Sequence, residues 1–113
     1  MKQQDLVWVR LPFSSFEDTK VRPAIVVSNN GYNASTRDVI VCAITSRLDP
    51  KRYSCIVDND SLSSGTLPFK SRVRADKVLQ IEKSLVIHAF ATLKDEAFDK
   101  LVKEVTRLIK RGK

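Results

Sequence analysis

The spacing of the hydrophobic residues changes once along this chain of 113 residues, near residue 94. Before that point, apolar residues occur in short β-rich runs separated by turn-forming residues, and after it they follow the three-four spacing of an amphipathic helix. Several short strands followed by one helix predict a mainly β fold, a small SH3-like β-barrel with a C-terminal amphipathic helix packed on it. We expect a single domain covering residues 1–113.

Six runs are predicted to be strands. They cover residues 6–11, 23–28, 38–44, 53–57, 71–81 and 85–93. The run at 23–28 (PAIVVS) is almost wholly apolar, which indicates a strand buried on both faces, and the run at 71–81 has an irregularity in its middle. Three polar stretches are predicted to be loops or turns, at 14–21, 29–31 and 58–65. Thr92 or Asp95 is expected to cap the helix.

The chain is strongly basic. It has 20 Lys and Arg residues against 13 Asp and Glu residues, a net charge of +7 and a pI near 9.7. Such a charge favours a polyanionic partner, and nucleic acid, an anionic membrane surface and an acidic protein segment are all compatible with it. Because no apolar run reaches the roughly 18 residues that span a bilayer, and the amino end lacks a signal core, we expect a cytoplasmic protein without membrane association.

Metal-dependent and nucleotide-dependent chemistry are not expected from these residues. The chain has one histidine and lacks HExxH, CxxC and paired-carboxylate motifs, and it has no Gly-rich phosphate loop. Residues 58–60 (DND) open like a calcium loop, but Ser63 and Phe69 stand where that loop requires Gly and Glu. We therefore predict neither a metal nor a cofactor.

Three further residues have candidate chemistry of their own. His88 is a possible general base, but it stands alone in a short apolar segment, and we interpret it as a surface or core residue. Cys42 and Cys55 lie in apolar segments outside any CxxC pair, and they are predicted to be free thiols that pack as small hydrophobic residues.

Two polar features stand out at strand ends. Arg22 directly precedes Pro23 where the polar loop enters an apolar strand, and Thr45 and Ser46 end the next strand. An arginine at a strand start is commonly a solvated charge, and hydroxyls at a strand end are commonly turn formers. On these grounds alone the sequence indicates a basic β-barrel with a candidate polyanion site.

Four segments, in this order, resemble the PemK/MazF family of toxin endoribonucleases. They are residues 5–9 (DLVWV), 21–29 (VRPAIVVSN), 39–46 (VIVCAITS) and 71–78 (SRVRADKV). The chain departs from the family pattern at Gln4, where Gly is usual, and at Val21, where a second Arg is common. The resemblance covers most of the chain and implies a PemK-type barrel, in agreement with the pattern of strands and helix.

The resemblance implies a sequence-selective endoribonuclease toxin, an mRNA interferase that cleaves single-stranded RNA. The implied reaction is attack of a ribose 2′-OH on the adjacent phosphorus, giving a 2′,3′-cyclic phosphate and a 5′-OH without a metal. Arg22 matches the family's catalytic arginine and Thr45 its catalytic threonine. RNA contacts are implied for Lys20, Ser46, Ser71 and Lys77. Because arginine is a poor general base, we expect Arg22 to stabilise the transition state and to act as a proton donor, and Thr45 to orient by hydrogen bonding.

The resemblance also implies partners. They are a second copy of the chain in a homodimer, single-stranded RNA along the interface, and an antitoxin with an acidic or amphipathic tail in the same groove. The loop at 14–21 would lie beside Arg22 and gate the site. Two alternatives share the fold: a catalytically idle nucleic-acid-binding relative, and a protein-binding module like the gyrase poisons. The gyrase poisons use a C-terminal Trp-Gly-Ile, whereas this chain ends in Arg-Gly-Lys.

Overall fold

A computed structural model describes residues 1–12 and 19–112, and in them seven antiparallel strands form one sheet. The strands are β1 (Asp5–Pro12), β2 (Thr19–Val26), β3 (Asp38–Thr45), β4 (Ser54–Val57), β5 (Leu62–Gly65), β6 (Ser71–Glu82) and β7 (Val86–Leu93), and the helices are α1 (Asn30–Ser35) and α2 (Asp95–Ile109). Their order in the sheet is β4-β6-β3-β2-β1-β7-β5, so β4 and β5 are the edges of a curled half-barrel. The predicted mainly β fold with a C-terminal helix is confirmed.

The central strands bury side chains on both faces of the sheet. Leu6 of β1 and Ile25 of β2 enter an apolar cluster that also contains residues of α2. Val7 and Ala24, their neighbours along the same strands, enter a second cluster on the opposite face. Complete burial of a Val, Leu or Ile side chain contributes roughly 1.5–3 kcal/mol, so an unbroken apolar run is favoured here. The prediction that the run at 23–28 is buried on both faces is confirmed for its described strand residues.

Helix α2 covers one side of the half-barrel with its first three turns. Phe98 and Leu101 are buried in the first cluster, and the helix packs against β4 and β6. The apolar stripe continues into the second half of the helix, but there Leu108 and Ile109 are exposed, Ile109 by 75%. The apolar stripe of α2 is therefore longer than the part of the helix that packs against the sheet.

The start of α2 differs from the prediction. Its N-cap residue is Lys94, which makes no side-chain capping bond. Thr92 instead donates its hydroxyl to Oδ1 of the buried Asp5 at 3.0 Å. Asp95 is the first residue of the helix, where a carboxylate favours the positive end of the helix dipole. The predicted cap is therefore wrong, although Asp95 still stabilises this end.

Three stretches predicted as loops or turns contain regular structure. The turn predicted at 29–31 is the start of α1, because the Asn29 side chain accepts the backbone N–H of Tyr32 at 2.8 Å and caps the helix. The stretch at 58–65 contains a 3₁₀ turn and β5, which buries Leu62 and pairs with β7. Of the predicted loop at 14–21, residues 19–21 belong to β2 and residues 14–18 lie outside the described part of the chain.

Gly65 is required where β5 crosses closely over β7. Its φ is +80°, and a Cβ there would lie 2.2 Å from the carbonyl oxygen of Phe90. We expect Gly65→Ala to lower the free energy of unfolding by about 2–4 kcal/mol, since it adds overpacking to a strained backbone. Urea unfolding measures this effect. The control is Gly112→Ala, whose Cβ would meet nothing within 4 Å, and equal midpoints for both variants would contradict the prediction.

Both cysteines are free, as predicted. Cys42 is buried in the first apolar cluster, and burial raises the pKa of its thiol to about 12. The thiol therefore stays protonated at neutral pH and packs as a small hydrophobic residue. Cys55 is only partly buried, and burial raises its pKa as well.

Candidate functional site

A cleft opens where β2 and β3 stop pairing. Their ladder runs from Val26–Val41 to Ala24–Ala43 and ends there. The next residue of β2 is Pro23, which has no N–H to donate, so the ladder cannot continue. Extending the same register places Arg22 across from Thr45, and both residues line the cleft, whose volume is about 510 Å³. The Arg-Pro dipeptide thus creates the opening and places a guanidinium beside it.

A bulge in β6 forms a second wall of this cleft. Ile44 pairs with Val73 and Cys42 pairs with Val78, so β3 advances two residues while β6 advances five. The extra residues of β6, 74–77, have no partner in the β3 ladder. Two of them, Arg74 and Lys77, line the cleft. The irregularity predicted in the 71–81 strand is therefore present, and it carries cations into the site.

The cleft is electrostatically positive. Among the described residues that line it, four are cationic and none is acidic. The four are Arg22, Arg47, Arg74 and Lys77. Cations concentrated in one cleft raise the local concentration of an anion and hold phosphate groups by charge-assisted hydrogen bonds. The arrangement suits a phosphodiester backbone.

Arg74 is held in a fixed orientation by Asp76. Its Nε and Nη2 donate to Oδ1 and Oδ2 of that carboxylate at 3.0 and 3.2 Å. The hydrogen bond from Arg74 lowers the pKa of Asp76, so the carboxylate is charged at neutral pH. This pairing leaves the third nitrogen of the guanidinium, Nη1, for other acceptors.

The Thr45 hydroxyl is oriented by the residues that follow it. Its Oγ1 accepts the backbone N–H of Arg47 at 3.2 Å. The carbonyl oxygen of Arg47 accepts Nε of Arg72, also at 3.2 Å, and the Arg72 side chain is 6% exposed. In the described part of the chain the Thr45 hydroxyl hydrogen has no acceptor, so it is available to an anion in the cleft. Sequence reasoning did not single out Arg72, because burial of an arginine beside a strand end depends on tertiary packing.

Aromatic side chains also border the cleft. Trp8 stacks on Phe90 with ring centroids 4.8 Å apart and an interplanar angle of 25°. Phe69 lies in the loop between β5 and β6 and is 69% exposed. Cations combined with accessible aromatic rings are the usual means of binding single-stranded nucleic acid, since bases stack on the rings while phosphates meet the cations.

The structure brings five of the six predicted site residues together. They are Arg22, Thr45, Ser46, Ser71 and Lys77. Ser71 is buried and donates its hydroxyl to the carbonyl oxygen of Phe69 at 2.8 Å, so its described contact is internal. Lys20 is exposed on β2 but does not line the cleft, and neither does His88, which is exposed on β7. The interpretation of His88 as a surface residue agrees with this position.

The aromatic residues and two of the cations were not predicted from the sequence. Arg47 and Arg74 were not selected, although Arg74 lies in the strand whose irregularity was predicted. A strand that carries alternate basic residues across a predicted bulge is the signal that could have found Arg74.

No metal-binding cluster competes with this interpretation in the described residues. Within residues 1–12 and 19–112, no group of three or more His, Cys, Asp or Glu residues could hold an ion. None of the helices in these ranges is long and apolar enough to cross a membrane.

The half-barrel and its open cationic cleft define a class of small basic β protein with a site suited to a polyanion. The family follows from the sequence as a whole. A family model described as a PemK-like, MazF-like toxin of type II toxin–antitoxin systems matches residues 2–109, and the chain belongs to that family. No sequence among the curated proteins matches the chain.

Solved structures share the fold. An endoribonuclease in complex with its cognate antitoxin, from a mycobacterial species, matches with a TM-score of 0.78 and 15% identity over 100% of this chain and 98% of that chain. The Mycobacterium tuberculosis toxin MazF-mt6 matches with a TM-score of 0.78 and 16% identity over 96% and 99%. A chain of a MazE–MazF structure from Deinococcus radiodurans matches with a TM-score of 0.79 and 20% identity over 99% and 97%.

Proposed function

We propose that this protein is a sequence-selective, metal-independent endoribonuclease that cleaves single-stranded RNA. The observation that carries the proposal is that Arg22 and Thr45 line one cleft, and that every charged residue described in its lining is cationic. The family, and the mycobacterial neighbour named as an endoribonuclease, support the same activity. The product ends are a 2′,3′-cyclic phosphate and a 5′-OH.

Each residue of the cleft has a chemical role in this proposal. The planar guanidinium of Arg22 binds the non-bridging oxygens of the scissile phosphate as negative charge develops on them. The Thr45 hydroxyl donates to one of these oxygens and fixes the phosphate relative to the attacking 2′-OH. Arg74 and Lys77 bind neighbouring phosphates, with contributions from Ser46 and from Lys20 outside the cleft. The roles of Arg22 and Thr45 require no metal, because these two side chains stabilise the negative charge that develops on the phosphate oxygens.

The proposed partners follow from the family and from the surface charge. Two neighbours are complexes, one with a cognate antitoxin and one described as MazE–MazF. We infer an antitoxin whose acidic or amphipathic tail occupies the cationic cleft and excludes RNA. We also infer a homodimer with RNA along its interface, and a cytoplasmic location, where the RNA substrate is found.

A nuclease assay in excess EDTA tests the activity. The full-length protein should cleave single-stranded RNA at an unchanged rate when chelator is added, and it should leave single-stranded DNA of the same sequence intact. The reason is that attack by the 2′-OH needs neither a metal-bound water nor an external nucleophile. Denaturing gels of labelled oligonucleotides give the rates.

The same assay separates the alternatives. Loss of cleavage on chelation, restored by magnesium, would exclude the metal-independent mechanism. Binding of RNA without cleavage would favour the catalytically idle nucleic-acid-binding relative. Absence of both binding and cleavage would favour the protein-binding module.

A further inference from the structure

We propose that Phe69 forms a subsite for one unstacked nucleobase of the RNA. This inference rests on the proposed function and adds to it the residue that binds a base rather than a phosphate. Phe69 lines the same cleft as Arg22 and Thr45, and the residue is 69% exposed. A flat apolar ring facing an aqueous, cationic cleft is suited to the face of a base.

The loop is anchored to the body of the protein at Leu67 and at Ser71, two residues before and two residues after Phe69. Leu67 is 4% exposed, and its N–H donates to Oδ1 of Asn59 at 2.8 Å. Pro68 restricts the backbone between this anchor and Phe69. On the other side, the buried Ser71 donates its hydroxyl to the Phe69 carbonyl oxygen at 2.8 Å. The exposed ring is therefore presented by a constrained loop, which reduces the entropy lost when a base stacks on it.

The side chains around Phe69 favour an anionic ligand that also has flat apolar groups. Arg74 and Lys77 lie in the same cleft, and Lys70 follows Phe69 directly and is exposed. The second aromatic element, Trp8 stacked on Phe90, borders the cleft as well. Single-stranded RNA combines phosphates with bases that are free to leave the stack, so it matches both features.

Binding measurements on oligonucleotides that cannot be cleaved test the subsite. The probes are a 2′-O-methyl RNA 12-mer of mixed sequence and an abasic 12-mer with the same number of phosphates. Wild type should bind the base-bearing probe more tightly. Phe69→Ala should weaken that binding by about 5- to 150-fold, the effect of losing one stacked base. Binding of the abasic probe should stay unchanged, because its contacts are to phosphates.

Two further variants at this position keep the test decisive. Phe69→Tyr retains a flat ring and should bind the base-bearing probe as wild type does. Phe69→Leu retains apolar surface without a ring face and should lose most of the affinity. The matched control is Ile109→Ala, which removes an exposed apolar side chain on α2, outside the cleft, and should change neither affinity.

Three results would overturn the subsite. They are equal loss of affinity for both probes in Phe69→Ala, unchanged affinity for the base-bearing probe in that folded variant, and a change of oligomeric state in light scattering that accounts for the loss. The proposed function fails separately, since it requires cleavage of RNA by the wild type. The fluorescence of Trp8, the single tryptophan of the chain, reports whether a probe has entered the cleft in each variant.

Discussion

Replacing Arg22 with alanine is expected to lower the rate of RNA cleavage by about a hundredfold or more, the effect of removing one electrostatic donor of roughly 3–4 kcal/mol. Arg22 and Thr45 line the same cleft, and extending the β2–β3 register beyond Ala24–Ala43 puts them at facing positions. The side chain of Arg22 is exposed, so the variant should fold as wild type does. Single-turnover cleavage of a labelled RNA, with circular dichroism of both proteins, measures the effect.

Variants at and away from the cleft identify the cause of this loss. Arg22→Lys keeps the charge but not the planar fork, and it should recover only part of the rate. Lys103→Ala removes an exposed cation from α2, and His88→Ala removes the single histidine from β7. Both lie outside the cleft and should leave cleavage nearly unchanged. A folded, fully active Arg22→Ala protein beside an inactive His88→Ala protein would show that the proposed site is wrong.

Replacing Thr45 with alanine should also lower the rate of RNA cleavage. The Thr45 hydroxyl accepts the N–H of Arg47 and keeps its hydrogen for an anion in the cleft. Thr45→Ala loses both contacts and should damage cleavage about as severely as Arg22→Ala does. Thr45→Ser retains both contacts and should be milder. Equal loss in the two Thr45 variants would indicate that the methyl group, rather than the hydroxyl, matters.

The elements of the fold that could be predicted are those marked by a hydrophobic pattern within their own segment of sequence. The apolar run at 23–28 and the three-four spacing of α2 each contain their own evidence of burial, and both predictions agree with the structure. Helix α1 and strand β5 were missed because they depend on particular contacts. Asn29 caps α1 through one side-chain bond, and Leu62 is buried only because β5 pairs with β7.

The candidate site also contains residues that could be predicted from the sequence and residues that depend on contacts between distant segments. Arg22 and Thr45 stood out in the sequence by their positions at strand ends, and the family resemblance supplied their proposed roles. The missing N–H of Pro23 gives a physical reason why both line one cleft. Arg74 enters the cleft through a bulge whose register depends on the pairing of β3 with β6. The exposure of Phe69 depends on an anchor at Leu67 and a bond from Ser71, neither of which has a sequence pattern. Two of the four cations, Arg22 and Lys77, were therefore predicted from the sequence, whereas Arg47, Arg74 and the aromatic part of the site were missed.

An RNA with a single 2′-deoxyribose at the cut site should not be cleaved there. The proposed nucleophile is the 2′-OH adjacent to the scissile phosphate, and removing it leaves the cleft without an attacking group. The effect should exceed that of any single side-chain replacement, because the roles proposed for Arg22 and Thr45 lower the barrier of a reaction that the substituted RNA cannot undergo. Gel mapping of a labelled RNA, in its all-ribose form and with one deoxyribose, measures it.

The substituted RNA should still bind, because the phosphates proposed to contact Arg22, Arg74 and Lys77 are unchanged. It should therefore inhibit cleavage of the all-ribose RNA with a concentration dependence close to that of a competing substrate. Product ends provide an independent check, since attack by the 2′-OH leaves a 5′-OH that polynucleotide kinase can label without prior phosphatase treatment. Cleavage at the deoxyribose position with a 5′-phosphate product would mean that water is the nucleophile. That outcome would require a group to activate water, a role that neither the guanidinium of Arg22 nor the hydroxyl-donating Thr45 can fill.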